Sequence, residues 1–414
     1  MYFIYTVLVH IVGQLLKTVA LFQPKMKLFI EGRKHTLALI KSKIQKEDRT
    51  IWVHAASLGE YEQGLPVIEG LRTQYPNHKI VLTFFSPSGY EVRKDNNVAD
   101  VTVYLPLDTT DLVTSFLDAV HPEMTFFIKY EFWPNYLKEL KNRNIPTFLI
   151  SGIFRPNQVF FKWYGSFYRN AIKSMTYFFV QNEESKKLLN GIGLTNVKIS
   201  GDTRFDRVAT ILERDNTVDF ISNFKGDSTL VVIGSSWPED EKLLSQYINT
   251  STHHVKFVFA PHNIKPEQIA QLKNSISKNV CVYSEMTPEK LKQSEVFLLD
   301  TVGLLTKVYS YADIAYIGGG FEKGIHNILE PATFGIPIII GPKYKQFAEA
   351  IALIDLGGCH SVNNYTELKN ILDLVIQNED ERLEQGHISN TFAQMNKNVT
   401  GTILQYLKMY QPKN

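Results

Sequence analysis

Short apolar runs alternate with helix-like stretches through most of this chain. After residue 50 the runs are "TIWVHAAS", "KIVLTFFS", "VTVYLPLD", "MTFFIKY", "PTFLISG" and "YFFVQN", with segments such as "EYEQGLPVIEGLRTQYP" and "EFWPNYLKELKNRN" between them. Such alternation means βαβ units and a parallel sheet. The pattern pauses over about residues 205–228 and restarts with "TLVVIGSS", "HVKFVFAPHN", "VCVYS", "VFLLDT", "DIAYIGGG" and "IPIIIGP". A chain of 414 residues is too long for one ordinary core. The expected fold is therefore α/β, with two doubly wound Rossmann-like domains. The reading assigns residues 25–210 to the first domain, 211–228 to a linker and 229–395 to the second. Residues 396–414 are assigned to a C-terminal helix packing back on the first domain. There is no repeat of 20 to 50 residues and no low-complexity tract.

Ligands of open parallel sheets bind outside the carboxyl ends of the strands. The polar residues directly after apolar runs are Ser57, Gly59 and Glu60, Ser86, Asp108, Glu131, Arg155, Gln181, Gly234 to Ser236, His262 and Gly303. "HAASLGE" sets Glu60 at a strand-to-helix turn, where it serves either as a general base or only as a helix cap. The helix field there is expected to lower its pKa. "IGSSWPEDE" offers backbone amides to an anion, or a plain Ser cap before an acidic first turn. The most specific stretch is "GGGFEKGIHNILEPATFGIPIIIGP", residues 318–342. Its glycines are expected to give the backbone room for a ligand, and "GIHNILEP" to open a helix whose free amides face a phosphate. Glu330 is placed to accept from the vicinal hydroxyls of a ribose. Capping of the helix by Asn327 or Glu330 is the alternative.

Several classes are excluded or disfavoured. The net charge of +2 gives no global argument for nucleic acid. Two cysteines cannot build a structural zinc site, and they fit a reducing compartment. His54, His262 and His326 lack metal-ligand spacing on one helix, so no metal site is expected. P-loop, simple dehydrogenase and G-x-S-x-G hydrolase signatures are absent. Residues 1–16, "MYFIYTVLVHIVGQLL", hold no Asp, Glu, Lys or Arg. A bilayer-spanning helix needs about 20 apolar residues, and this one reaches that length only by tolerating His10, Gln14 and Lys17. Residues 1–24 read as an interfacial or marginally spanning anchor helix, with an ordinary first helix as the alternative. Lys17, Lys25, Lys27, Arg33, Lys34, Lys41, Lys43 and Lys46 stand against a single acid, Glu31, in residues 1–46. That charge suits an anionic membrane surface and holds the body on the cytoplasmic side.

"WVHAASLGE", "YLPLD", "KYEFWPN", "GDTRFD", "IGSSWPEDE", "APHN", "LLDTVGLL" and "GGGFEKGIHNILEP...GIPIIIGP" occur in the order seen in another set of enzymes. The chain resembles the 3-deoxy-D-manno-octulosonic acid (Kdo) transferases, glycosyltransferases of lipopolysaccharide inner-core synthesis, from about residue 25 to residue 400. The resemblance implies GT-B architecture, with the two domains facing across a cleft. It implies CMP-Kdo as donor, a lipid A precursor (lipid IVA) as acceptor, and inverting transfer without metal or other cofactor. It also implies a place at the cytoplasmic face of the inner membrane of a Gram-negative bacterium. Glu60 matches the general base, Glu131 an assisting acid, and Arg204 a cationic position. CMP contacts carry over to Pro261 and His262, to Val302, Gly303 and Leu304, and to Asn327, Ile328, Leu329 and Glu330. The chain departs from the family pattern at Asn263, Leu304 and Ile325. The rival readings are another membrane-associated GT-B enzyme using a UDP-sugar, or a non-catalytic nucleotide-binding protein at the membrane.

Overall fold

A computed structural model describes residues 1–410. The chain divides into two compact units: residues 1–207 together with the segment from Asn398, and residues 208–397. Each unit is built on a parallel sheet of seven strands.

The first unit holds β1 (Arg49–Ala55), β2 (His78–Phe84), β3 (Val101–Tyr104), β4 (Pro122–Ile128), β5 (Thr147–Gly152), β6 (Tyr177–Val180) and β7 (Val197–Ile199). Their spatial order is β3-β2-β1-β4-β5-β6-β7. In β1 only Arg49 is exposed, because helices cover both faces of the sheet and every later position is buried. Trp52 sits fully buried among Phe116, Phe127 and Tyr136, with ring centroids 4.9 to 5.3 Å away. The helix Leu58–Gln74 follows β1 and tolerates Pro66 in its interior. The helix Val399–Met409 also belongs to this unit. Its Val399, Ile403 and Leu407 join the apolar cluster of Leu65, Ile68 and Leu71. Asp206 accepts from the amides of Asn398, Val399 and Thr400 and so caps that helix. The remainder of the proposed segment 396–414, residues 411–414, lies outside the described residues.

The second unit holds β8 (Thr229–Ser236), β9 (Val255–Pro261), β10 (Val280–Val282), β11 (Val296–Leu298), β12 (Ile314–Ile317), β13 (Ile338–Ile340) and β14 (Cys359–Ser361). Their order is β10-β11-β9-β8-β12-β13-β14. Ile233 pairs with Tyr316 and with Phe259, so the strands flanking β8 are set in register by its continuous apolar run. Two strands escape the sequence reading. β7 (VKI) and β14 (CHS) are three-residue edge strands interrupted by Lys198 and by His360 and Ser361, so neither shows as an apolar run.

In each sheet the strand order reverses beside the unit's first strand, between β1 and β4 and between β8 and β12. These are the switch points at which the chain leaves opposite ways and opens a crevice.

At the N-terminus a helix spans Tyr2–Val19, and a second spans Pro24–Lys34. The first is long and apolar enough to cross a membrane by length and composition. All seven lysines of the first 46 residues are exposed. Arg33 is a correction to the reading of this segment as one basic surface. Its guanidinium donates to the carbonyls of Leu105, Phe29 and Phe85 and lies 3.5 Å from the Phe29 ring. Burial pulls its pKa down to about 9.

Candidate active site

The switch point of the first unit places Glu60 after β1 and Glu131 after β4. Glu60 is 5% exposed. Its Oε2 accepts from the Ala56 amide at 2.6 Å, and among the described residues Oε1 accepts no hydrogen bond. Glu60 is thus tied back to the turn that precedes its helix, and one carboxylate oxygen is left for chemistry. Burial first, and then the charge of Glu131, push its pKa up to about 7. This corrects the expectation that the helix field lowers it. The Ala56 amide and Lys129 do favour the ionised form, but desolvation outweighs them. A carboxyl titrating near neutrality is a stronger base than an exposed one and is still half ionised at pH 7.

A chain of hydrogen-bonded rings lies beside Glu131. Trp133 donates Nε1–H to His54 Nε2 at 3.3 Å, so that nitrogen is an acceptor. His54 Nδ1 then donates to Thr83 Oγ1 at 2.8 Å, which also accepts from Trp52 Nε1 at 2.8 Å and donates to the Val53 carbonyl. Every proton in this buried set has one place, which assigns His54 as the neutral Nδ1–H tautomer. Glu131, 17% exposed, lies with Oε2 3.7 Å from His54 Nε2. Lys129 adopts φ +71° and Ser151 φ +51°. Both are left-handed residues at strand ends, the kind of strain that gathers at functional sites.

Arg204 is held by its own motif. Asp202 accepts from Arg204 Nε at 2.9 Å and Nη2 at 2.6 Å, and its Oδ1 accepts from Gln63 Nε2 at 2.8 Å. Thr203 donates to the Gln63 carbonyl, and its amide donates to Ser151 Oγ. Gln63 lies one turn beyond Glu60 on the same helix. The "GDTRFD" loop is thus tied to the element that carries Glu60. The guanidinium reaches this surface already paired with a carboxylate.

At the switch point of the second unit the structure gathers three rings. Trp237, just after β8, stacks on His262, just after β9, at 4.6 Å and 14°. It donates Nε1–H to His326 Nε2 at 2.9 Å, and the two histidine rings are 4.7 Å apart. Lys323 Nζ lies 5.1 Å from the Trp237 ring. Burial, then His262, lowers His326 to about 4, and burial, then Lys323, lowers His262. Both rings are neutral at pH 7, so the stack presents aromatic faces beside one ammonium.

The glycines of residues 318–320 have a different cause from the one expected. A Cβ on Gly318 would lie 2.4 Å from the Ser235 carbonyl oxygen, and one on Gly320 would lie 2.6 Å from Gly341 Cα. They admit neighbouring backbone rather than a ligand. The Gly319 amide is already taken by buried Asp240, which also accepts from Tyr316 and from the Trp237 amide. The helix expected from "GIHNILEP" is only Leu329–Thr333. Its first amide donates to Asn327 Oδ1. Asn327 Nδ2 donates to Glu330 Oε1 at 3.0 Å and Thr306 to Oε2 at 2.7 Å. The array of free amides facing a phosphate is therefore not formed as expected. Instead, Glu330 is a carboxylate fixed at both oxygens, each with a second lone pair to offer.

A family model described as 3-Deoxy-D-manno-octulosonic-acid transferase (kdotransferase) matches residues 31–207. A 3-deoxy-D-manno-octulosonic acid transferase of Chlamydophila psittaci is 27% identical over 342 residues, 80% of this chain and 78% of that protein. That of Haemophilus influenzae is 26% identical over 377 residues, 88% of each. The chain is thus similar to the Kdo transferases, and these relatives mark it as a glycosyltransferase. The fold agrees. The UDP-GlcNAc 2-epimerase of Neisseria meningitidis superposes with a TM-score of 0.64 at 16% identity, over 87% of this chain and all of that one. The architecture is GT-B, and the reading of a non-catalytic protein falls.

Within each unit the expected residues fall into groups. Glu60 and Glu131 share the first switch point, and Arg204 is tied to the Glu60 helix through Gln63. Pro261 ends β9, and His262 enters the ring stack. Exposed Val302, Gly303 at φ +91° and Leu304 lead into the short helix whose Thr306 holds Glu330. The side chains of Ile328 and Leu329 are buried, as is that of Ile325, so only their backbone can face a ligand. Sequence reasoning missed Trp237, Lys323 and Thr306 in the second unit, and Lys129 and the His54–Trp133 pair in the first. Trp237 and Lys129 lie inside "IGSSWPEDE" and "KYEFWPN", directly after strands, and that placement was the available signal. Among the described residues no group of three His, Cys, Asp or Glu side chains is arranged to hold a metal ion.

Proposed function

We propose that this enzyme transfers Kdo from CMP-Kdo to a lipid A precursor, lipid IVA, with inversion and without a metal. The activity at the coarser level, Kdo transfer in lipopolysaccharide core biosynthesis, follows from its relatives. The observation that carries the finer reading is Glu60, a buried carboxyl held near neutrality with one oxygen uncommitted. In this mechanism the acceptor hydroxyl gives its proton to Glu60 as its oxygen attacks the anomeric carbon of Kdo. The bond from that carbon to the phosphate oxygen breaks, and CMP leaves with the electron pair. One in-line displacement inverts the anomeric centre. Glu131, whose Oε2 lies 3.7 Å from His54 Nε2, keeps Glu60 basic by its charge. The charge growing on the leaving phosphate is met by a cation, for which Lys323 beside the ring stack is the candidate. The cytidine is read by the Trp237–His262–His326 stack, and its ribose by Glu330. The lysines after the first helix favour an anionic lipid surface on the cytoplasmic face of the inner membrane.

The test is a transfer assay with a CMP-Kdo generating system and a tetraacylated lipid A precursor, with UDP-sugars in parallel and the product read by mass. Kdo addition from CMP-Kdo alone is expected. Transfer from a UDP-sugar instead would overturn the donor assignment.

A further inference from the structure

The helix Tyr2–Val19 has two faces, and both are apolar enough to be read as one membrane span. Their contacts separate them. Tyr2, Tyr5, Thr6, Val9, Gly13 and Leu16 are covered or half covered at helical spacing. Tyr2 and Tyr5 meet the Phe167 ring at 4.9 and 5.5 Å. The Tyr5 hydroxyl bonds to the carboxyl of buried Asp108. Asn135 Nδ2 donates to Thr6 Oγ1 at 2.9 Å. Lys138 Nζ lies 4.7 Å from the Tyr2 ring, and His10 Nε2 lies 3.9 Å from Asp111. A Cβ on Gly13 would come within 2.9 Å of Leu107, so the helix lies close against the body. The opposite face is unpartnered: Phe3, Ile4, Val7, Leu8, Ile11, Val12, Leu15 and Val19 are all exposed, Phe3 at 80%.

The two faces decide between crossing a bilayer and lying on one. If this helix crossed while docked, Asp108, Asn135, Lys138 and Asp111 would enter the hydrocarbon with it. Ionisable groups there cost at least about 2.5 kcal/mol each. If it undocked to cross, Tyr5, Thr6 and His10 would face lipid without these partners, and Asp108 would lose the phenol that bonds it. Staying docked satisfies every one of these groups and leaves one stripe of large apolar side chains for lipid. The exposed lysines at 17, 25, 27 and 34 follow directly and complement anionic headgroups. A second wet-and-apolar pair lies close by. Trp163, 90% exposed, and Tyr164 occupy the turn before the helix Ser166–Ile172, whose Phe167 is the ring that receives Tyr2 and Tyr5. Such side chains favour the interface.

We propose that the N-terminal helix lies along the surface of an anionic phospholipid bilayer, docked on the first unit, with Trp163 and Tyr164 as a second contact, and does not span it. This rests on the reading of the enzyme as one that works at a membrane.

The test uses the full chain, whose native Cys281 and Cys359 are both buried. Nitroxide labels are placed singly at Phe3→Cys, Val7→Cys, Ile11→Cys, Leu15→Cys and Trp163→Cys, all exposed positions. Depth is read by oxygen against aqueous relaxer in vesicles of zwitterionic and anionic phospholipid. The expected result is one shallow depth for all five, about 5–10 Å below the headgroups. A gradient of about 18 Å from Leu15 to Phe3, twelve residues at 1.5 Å each, would mean a spanning helix and overturn the proposal. Labels that stay fully aqueous would overturn the membrane reading itself.

Discussion

Ionised Glu60 burdens the native fold, and Glu60→Gln is expected to lift that burden while abolishing transfer. The carboxyl has its ordinary pKa of 4.5 in the unfolded chain and about 7 in the fold. Between these values the native state holds more protons than the unfolded state, so stability falls as pH rises across that window and the loss is complete above pH 7. A shift of that size corresponds to about 3 kcal/mol at full development. Glutamine keeps an acceptor for the Ala56 amide and has no charge to desolvate. The variant is therefore expected to exceed wild type by less than about 1 kcal/mol at pH 5 and by about 3 kcal/mol at pH 8. Urea unfolding followed by tryptophan fluorescence suits the measurement, since Trp52, Trp133 and Trp163 all lie in the first unit. A difference between the two proteins that does not change with pH would refute the reasoning. So would a variant less stable than wild type at pH 8.

Three further outcomes are expected. Glu131→Gln removes the second cause of the raised Glu60 pKa, so the acidic limb of kcat/KM is expected to move down by up to about one pH unit from its wild-type position near 7, measured in a pH–rate series. Gly320→Ala drives a methyl into the backbone of Gly341 and is expected to cost about 2 kcal/mol or more, read calorimetrically as a fall in Tm of at least about 4 °C. Trp237→Ala dismantles the ring stack and is expected to weaken CMP binding about tenfold by titration calorimetry, whereas Trp237→Phe recovers most of the loss.

The strands of both sheets were legible because parallel strands buried on both faces read as unbroken apolar runs. β7 and β14 were not, because Lys198 in one and His360 and Ser361 in the other break the apolar run. Glu60 and Glu131 were found for a topological reason: each directly follows a strand, and β1 and β4 turn out to be neighbours at the switch point. What the sequence could not carry was environment. The fall in pKa expected from the helix field was reversed by burial, which depends on residues far along the chain. The glycines of residues 318–320 were read as room for a ligand, while their neighbours are Ser235, Ser236 and Gly341, two of them more than eighty residues earlier. Arg33 counted as surface charge until three carbonyls were found around it. The helix at Asn327 to Glu330 was half legible, since its capping bonds form but only over five residues.

The central claim is that Glu60 takes the acceptor's proton. It is tested most directly by Kdo transfer to a tetraacylated lipid A precursor, measured for wild type and Glu60→Gln across pH, with CMP binding titrated beside it. The account predicts that wild type adds Kdo with an acidic limb near pH 7, and that the variant binds CMP normally and adds none. A variant that retains most of the wild-type rate would contradict it.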